Sequence, residues 1–318
     1  MKEFFSFPHK VIQKYKEEEI YLALTLCNDN NTYLYRGSRS ALFVRLGENM
    51  RLEQIFTFEN LYAAYKKCRL SKQHKGEVIR FETNLAQNIH SLINEILSRK
   101  YKIGKYKTFI IYEPKERIIE ALPFRDRVVI RCFCDNVLIP KIDKKLIYDN
   151  AACRKTKGTA FAILRLEKFL RHEYLKEHNN NIYFLKCDIS KFFQSINHDV
   201  LLNLLSRINF SDDEMWIIKK LIKEQPSSQD IGLPLGNQSS QWFALLYLNK
   251  VDRYIKEKLR IKGYIRYMDD MILIHRDKNY LKQTLKSIER ICKDTLKLSL
   301  NKKTRDRKSR KRNRFFRI

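Results

Sequence analysis

The residues best placed for chemistry are three aspartates. Asp188 follows an apolar run, Ile182 to Cys187, and the pair Asp269-Asp270 lies between two short β-forming runs, Tyr264 to Tyr267 and Met271 to Ile274. Carboxylates held within a few ångströms repel one another unless a divalent cation neutralises them, and hard oxygen donors suit magnesium. If the two acidic sites sit on adjacent strands of one sheet, a magnesium site is the natural expectation. Two such ions can lower the pKa of an attacking hydroxyl and stabilise a leaving pyrophosphate. An Asp-Asp pair is also a common turn-former, so taken alone it does not separate turn from ligand.

The elements that must position these aspartates are legible from periodicity. Ile182 to Cys187 reads as a strand, and a helix follows with Asn197 as N-cap and Val200, Leu201, Leu204, Leu205 and Ile208 on its apolar face. A loop with Pro226, Gly232, Pro234 and Gly236 precedes a long helix, capped by Ser239 or Ser240 and carrying Trp242, Phe243, Leu246, Val251 and Tyr254. The two runs around Asp269-Asp270 read as a hairpin. Beyond it lie an amphipathic helix through Leu281, Leu285, Ile288, Cys292 and Leu296 and a strand from Leu298 to Leu300. Upstream, Thr57 to Lys100 is helical, Tyr106 to Leu122 is a basic β-hairpin turning at Glu113-Pro114, a helix runs from Asp126 to about Leu138, and a charged helix spans Phe161 to Tyr174.

Composition narrows the partners. The 318 residues contain 64 Lys and Arg against 36 Asp and Glu, a net charge of +28, with 44% hydrophobic and 12% aromatic residues. That is enough apolar material for a real core, so the charge sits on a folded body and points to a polyanion, nucleic acid first and an anionic membrane surface second. No apolar run approaches the about 18 residues needed to span a bilayer, and the start lacks a signal-peptide core. A cytoplasmic protein is the expectation. Seven cysteines without a CxxC pair read as reduced thiols, and seven histidines without ligand spacing argue against a zinc site.

Taken together and in order, these motifs resemble a reverse transcriptase, and specifically the reverse transcriptases of diversity-generating retroelements. Tyr267-Met268-Asp269-Asp270 is similar to the family's YxDD hairpin, and Asp188-Ile189-Ser190-Lys191-Phe192-Phe193 to its first catalytic motif. Leu235-Gly236-Asn237-Gln238-Ser239-Ser240-Gln241 has the LGxxxSQ form of that subfamily, where most reverse transcriptases have QGxxxSP. Tyr148 to Lys155 and Leu122 to Val128 resemble the finger and pre-palm motifs, and the likeness covers roughly residues 56 to 304. It implies a right-hand fold, an α/β body with an α+β palm: an N-terminal extension over residues 1–55, fingers over 56–180, a palm over 181–300 and a basic tail over 301–318.

Carried over by position, the resemblance implies Asp188, Asp269 and Asp270 as catalytic residues, with Ile189 joining them around two Mg2+ ions. Phe193 matches the aromatic gate that excludes a 2′-hydroxyl; ordinary core packing is its alternative. Lys115, Arg117, Gly236 and Gln241 would face the incoming nucleotide, and Arg125, Arg127, Arg154, Lys155, Tyr267 and Lys303 the nucleic acid. Leu235 stands where a Gln normally makes an orienting hydrogen bond. Losing such a bond costs about 1–3 kcal/mol of discrimination, in keeping with the misincorporation opposite template adenines that the subfamily implies.

The family's helical thumb is not recognisable after Lys303-Thr304; residues 301–318 carry ten Lys and Arg against one Asp, a net +9 suited to RNA phosphates. The leading expectation is an error-prone RNA-directed DNA polymerase copying a structured template RNA into cDNA, with a small, basic, helical, ring-forming accessory protein and no membrane. Two alternatives stand beside it: a retron-like or abortive-infection-type enzyme in phage defence, and an inactive RNA-binding scaffold of the same fold.

Overall fold

The structure, a computed structural model, describes residues 49–112, 116–177, 182–224, 230–301 and, as backbone, 305–308. Lys115, Lys303, the first 48 residues and most of the basic C-terminal stretch lie outside the described residues.

A helical layer opens the described body. Helices Leu52–Ile55, Phe58–Arg69, Gly76–Thr83 and Leu85–Leu97 turn Ile55, Leu61, Val78, Ile89, Leu92 and Ile96 inward. Thr57 starts the second of these by accepting the Asn60 N–H at 3.2 Å. Residues 49–55, which sequence places in an N-terminal extension, pack into this body: Ile55 and Phe56 are buried, and the Met50 N–H donates to Glu214. Two strands follow, β1 (Lys107–Ile111) and β2 (Arg117–Ala121), paired antiparallel as Phe109↔Ile119.

Helix Phe124–Phe133 passes without a break into a π-helical turn, Cys134–Leu138, and then Ile139–Asp143. The single helix expected to end near Leu138 is therefore longer and locally underwound. Helix Thr159–Glu177 brackets the expected charged helix.

The second sheet has four strands in the order β4-β5-β3-β6, every pair antiparallel. They are β3 (Tyr183–Cys187), β4 (Gly263–Tyr267), β5 (Asp270–His275) and β6 (Arg305–Lys308). β6 corrects the picture of residues 301–318 as a mere tail, since part of that stretch pairs with β3 as an edge strand. The expected strand Leu298 to Leu300 is reduced to one bridge, Ile189↔Leu300.

Side chains alternate between the faces of a strand. Ile182, Ile265 and Ile274 meet Phe169 of helix Thr159–Glu177 on one face. Leu185, Cys187, Met271, Leu273, Tyr264 and Arg266 are buried on the other, where helix Lys278–Arg290 packs on β3 and β5. That helix begins at Asp277, whose carboxylate accepts the Asn279 and Tyr280 N–H groups.

Helix His198–Ser206 starts where Asn197 accepts the Val200 N–H at 3.0 Å. Helix Asp212–Lys223, which the sequence reading does not include although Ile217, Ile218, Leu221 and Ile222 recur at helical spacing, begins with a capping box between Ser211 and Glu214. Glu214 also forms a buried ion pair with Lys141, Nζ to Oε2 at 2.5 Å, tying this helix to Ile139–Asp143. Helix Gln238–Tyr247 has Asn237 at its N-cap; Ser239 and Ser240, expected as caps, are buried in its first turn. Asn237 does not cap with its side chain but donates to the Tyr106 hydroxyl at 3.3 Å.

Candidate active site

The four-stranded sheet brings the three aspartates to one end of one face. β3 and β5 pair as Cys187↔Met271, so Asp188 and Asp270 lie one residue further along, across from each other. Tyr267↔Asp270 is the last pair of the β4–β5 hairpin, leaving Met268 and Asp269 as a two-residue turn with Met268 at φ 53°. Asp269 thus projects from the tip beside the other two. Burial, then the charges of Asp188 and Asp270, push its carboxyl up to about 6.

Two contacts hold Asp188 in place. The Asn301 N–H donates to the Asp188 carbonyl at 2.7 Å, and the Asn301 side chain donates to Asp188 Oδ2 at 3.1 Å. Ser190 N–H donates to the Ser299 carbonyl at 2.9 Å, completing a short clamp around the Ile189↔Leu300 bridge. Ile189 itself is buried. Asp270 pairs with Lys186, two residues before Asp188 on β3, at 2.9 Å.

Behind the hairpin, Arg266 has no exposed surface. Its guanidinium forms a fork on Asp252, Nε to Oδ1 at 2.8 Å and Nη2 to Oδ2 at 2.6 Å, while Tyr264 donates to the same carboxylate at 2.6 Å. Nη1 donates to the Met268 carbonyl at 2.7 Å and Nη2 to the Leu245 carbonyl at 2.8 Å. Arg266 therefore anchors the turn that presents Asp269. Sequence reasoning does not single out Arg266, Asn301 or Lys186; the one signal is a charged residue in an otherwise apolar strand.

Among the described residues, no group of three His, Cys, Asp or Glu side chains is already gathered as a metal-holding cluster. The donor chemistry nonetheless fits a hard divalent cation: hard oxygen ligands, one of whose carboxyls is already raised by burial and then by its neighbours' charge, with Asp270 paired to Lys186.

Around the aspartates, Phe192 is buried and Phe193 half-buried, the two rings edge to face at 5.6 Å. The Phe193 carbonyl accepts the Leu233 N–H at 2.8 Å, linking it to the loop that leads into Leu235. The Glu120 N–H of β2 donates to the Leu235 carbonyl at 3.2 Å, so the first hairpin rests on the Leu235-Gly236 segment. Gly236 has φ +122°, a conformation that L side chains rarely adopt. Gln241 is exposed, with the Cys153 Sγ donating to its Oε1 at 3.5 Å; the same sulfur is 3.8 Å from Met268 Sδ. Arg117 is exposed on β2.

The basic residues divide into two groups. Arg125 pairs with Glu95 at 2.5 Å, Arg127 pairs with Glu77, and Arg154 pairs with Asp143 at 2.5 Å while donating to the Ile147 carbonyl. These three arginines knit the body together. Between the first two, buried Asp126 accepts from the Tyr101 hydroxyl and the Gly104 N–H. Lys155 and Tyr267, by contrast, are exposed.

The family model for reverse transcriptase (RNA-dependent DNA polymerase) matches residues 113–311, more than half of the chain. The chain belongs to the reverse transcriptase family. No curated protein matches it in sequence. Among solved structures, this reverse transcriptase resembles apo telomerase from Candida tropicalis, at a TM-score of 0.50 and 14% identity over 69% of this chain and 50% of that one. It also matches telomerase from Candida albicans in complex with a TWJ fragment of telomeric RNA, at a TM-score of 0.48 and 12% identity over 68% of this chain and 46% of that one. The chain spans about half the length of these telomerases. At such identity the Candida tropicalis likeness concerns the fold: the sheet bearing the aspartates is a reverse-transcriptase palm, and the layer ahead of it matches a fingers arrangement. Among the described residues no helix is long and apolar enough to cross a membrane.

Proposed function

We propose that this reverse transcriptase is an error-prone RNA-directed DNA polymerase that copies the template RNA of a diversity-generating retroelement into mutagenised cDNA. The observation that carries the polymerase reading is the placement of Asp188 across from Asp270, with Asp269 beside them at the turn.

Asp188, Asp269, Asp270 and the neighbouring Ile189 are the residues that would hold magnesium, which supplies charge neutralisation at the transferring phosphate and activation of the primer hydroxyl. The chain's own residues set the geometry. Asn301 fixes Asp188, and Arg266 fixes the turn carrying Asp269. Phe193 excludes a 2′-hydroxyl from the nucleotide. Arg117 and Lys115 grip the triphosphate, for which a guanidinium fork and an ammonium point charge suffice. Gly236 and Gln241 line the nucleotide site, and Lys155, Tyr267 and Lys303 contact the template-primer backbone.

The error-prone reading rests on Leu235. Its side chain cannot donate or accept a hydrogen bond, while its carbonyl is held by Glu120. The main chain here is held while the side chain offers no orienting contact. A structured template RNA and a small basic accessory protein complete the assembly.

The test is extension of a DNA primer on an RNA template with deoxynucleotides and Mg2+, followed by sequencing of the product. Errors concentrated opposite adenine support diversification, evenly accurate copying points to a retron-like or defence enzyme, and no extension with the RNA and accessory protein present favours an RNA-binding scaffold.

A further inference from the structure

Helix Thr159–Glu177 carries Arg165, Lys168, Phe169 and His172 at spacings of three and four residues, which places them on one stripe. That stripe forms one wall of a cavity of about 580 Å3 at the outer edge of the palm. The opposite wall is Lys256, Arg260, Ile261 and Lys262, in the segment leading into β4. Five cations and one histidine therefore face a single carboxylate, Asp149, the one acidic residue among the described residues that line the cavity.

Asp149 is already used twice. Arg165 Nε reaches its Oδ1 at 2.7 Å and Lys256 Nζ its Oδ2 at 2.8 Å. Lys168, Arg260 and Lys262 are exposed at the rim and form no ion pair among the described residues. The cavity thus holds more positive charge than its own carboxylate offsets, and burial lowers the Lys256 pKa against the opposing pull of Asp149. An anion entering here meets preassembled cations.

The chemistry of that anion follows from the aromatic floor. Phe169 is already faced by the Arg165 guanidinium at 4.6 Å and the Lys256 ammonium at 5.1 Å, so its ring is not available for stacking a base. Recognition here runs on charge, which reads phosphates and not bases. The segment that follows Asp149 reaches the catalytic end. From Asp149 the chain runs to Cys153, whose sulfur touches Met268 and Gln241, and on to exposed Lys155 and to Lys157, which lies over the Tyr148 ring at 4.4 Å.

We infer that the cavity between helix Thr159–Glu177 and the Lys256–Lys262 segment is a second RNA-binding site, which grips the phosphodiester backbone of RNA outside the catalytic cleft. The inference rests on the proposed function only in choosing RNA as the polyanion.

The test uses the full chain and a fluorescein-labelled RNA hairpin with a single-stranded extension, titrated at several salt concentrations. The triple charge reversal K168E/R260E/K262E is compared with K282E/K286E/K293E, an equal charge change at exposed positions on the helical stretch behind the sheet. The rim variant is expected to weaken binding by at least tenfold and to flatten the slope of log K against log salt by about 2, near 0.7 for each lost single-strand contact. The control is expected to change neither by as much. Equal losses in both variants, or none in the rim variant, would overturn the site.

Amine acylation of the wild-type chain gives a readout free of any folding effect. RNA should protect Lys168 and Lys262 from modification. Protection by tripolyphosphate but not by RNA would overturn the proposal in favour of a small phosphorylated ligand. If wild type fails to extend primers while RNA still protects both lysines, the polymerase reading falls and the RNA site stands.

Discussion

Arg266 and Asp252 face each other with no exposed surface on the helix-packed side of the palm sheet, and the guanidinium that grips Asp252 at 2.6 Å also holds the Met268 carbonyl at 2.7 Å. One side chain thereby joins the core of the palm to the turn that carries Asp269. The pair's Coulomb attraction is partly spent on desolvation, so its value lies in where it fixes the backbone.

The first prediction separates those two roles. Arg266→Met leaves Asp252 charged and unpaired in a site without solvent, and stability should fall by about 3–5 kcal/mol. Adding Asp252→Leu removes the orphaned charge and should restore most of the thermal midpoint. Primer extension should stay low in the double variant because the Met268 carbonyl has still lost its donor. Recovery of both midpoint and activity would show that Arg266 serves only the core.

The Asp269 carboxyl gives a second prediction, for the protein in EDTA. Its pKa rises in the fold from 3.8 to about 6, so across that window the folded state holds a proton that the unfolded chain has released. Stability from this group therefore falls as pH rises from about 4 to about 6, and the full penalty is present at neutral pH. Asp269→Asn should stabilise the metal-free protein by about 1–2 kcal/mol at pH 7, discounted for partial solvent screening, and by nothing near pH 3.5. Chemical denaturation at the two pH values checks this; an Asn variant no more stable at pH 7 contradicts the cost of burying this charge beside Asp188 and Asp270.

Leu235→Gln tests the origin of infidelity. Glu120 holds the backbone at this position through the Leu235 carbonyl, so the side chain can change while the main chain stays. Misincorporation opposite template adenine should fall by about tenfold, the equivalent of about 1.4 kcal/mol of restored discrimination. An unchanged error spectrum on sequencing refutes the role.

Phe193 sets the sugar preference if it is the gate. Its ring is half-buried beside fully packed Phe192, so truncation at 193 opens the nucleotide side more than the core. Phe193→Ala should raise the ribonucleotide-to-deoxynucleotide ratio of kcat/KM by roughly 10- to 100-fold. The same ratio as wild type would return Phe193 to plain packing.

Much of this architecture is legible in sequence where the signal is local. The two short β-forming runs around Met268-Asp269-Asp270 mark the hairpin, Asn197 marks a helix start, and the apolar run before Asp188 marks its strand. Ser211 with Glu214, followed by Ile217, Ile218, Leu221 and Ile222 at helical spacing, is an equally local signal for helix Asp212–Lys223 that the sequence reading leaves out. Contacts distant in sequence are not legible. Arg125, Arg127 and Arg154 read as nucleic-acid contacts because a sequence displays their charge and not the Glu95, Glu77 and Asp143 that meet them. Asn301 on Asp188, 113 residues apart, and Arg266 on Asp252 are invisible for the same reason. The π-helical turns at Cys134–Leu138, Tyr254–Lys258 and Ile291–Thr295 leave no mark in hydrophobic periodicity.

The most direct measurement is single-nucleotide extension of a primer on an RNA template with Mg2+, comparing wild type with Asp188→Asn and Asp269→Asn after both variants are shown to fold. The arrangement of the three aspartates predicts extension by wild type and a loss of at least a thousandfold, about 4 kcal/mol, in each variant. Extension by either variant at the wild-type rate would contradict the assignment of this face of the palm as the active site.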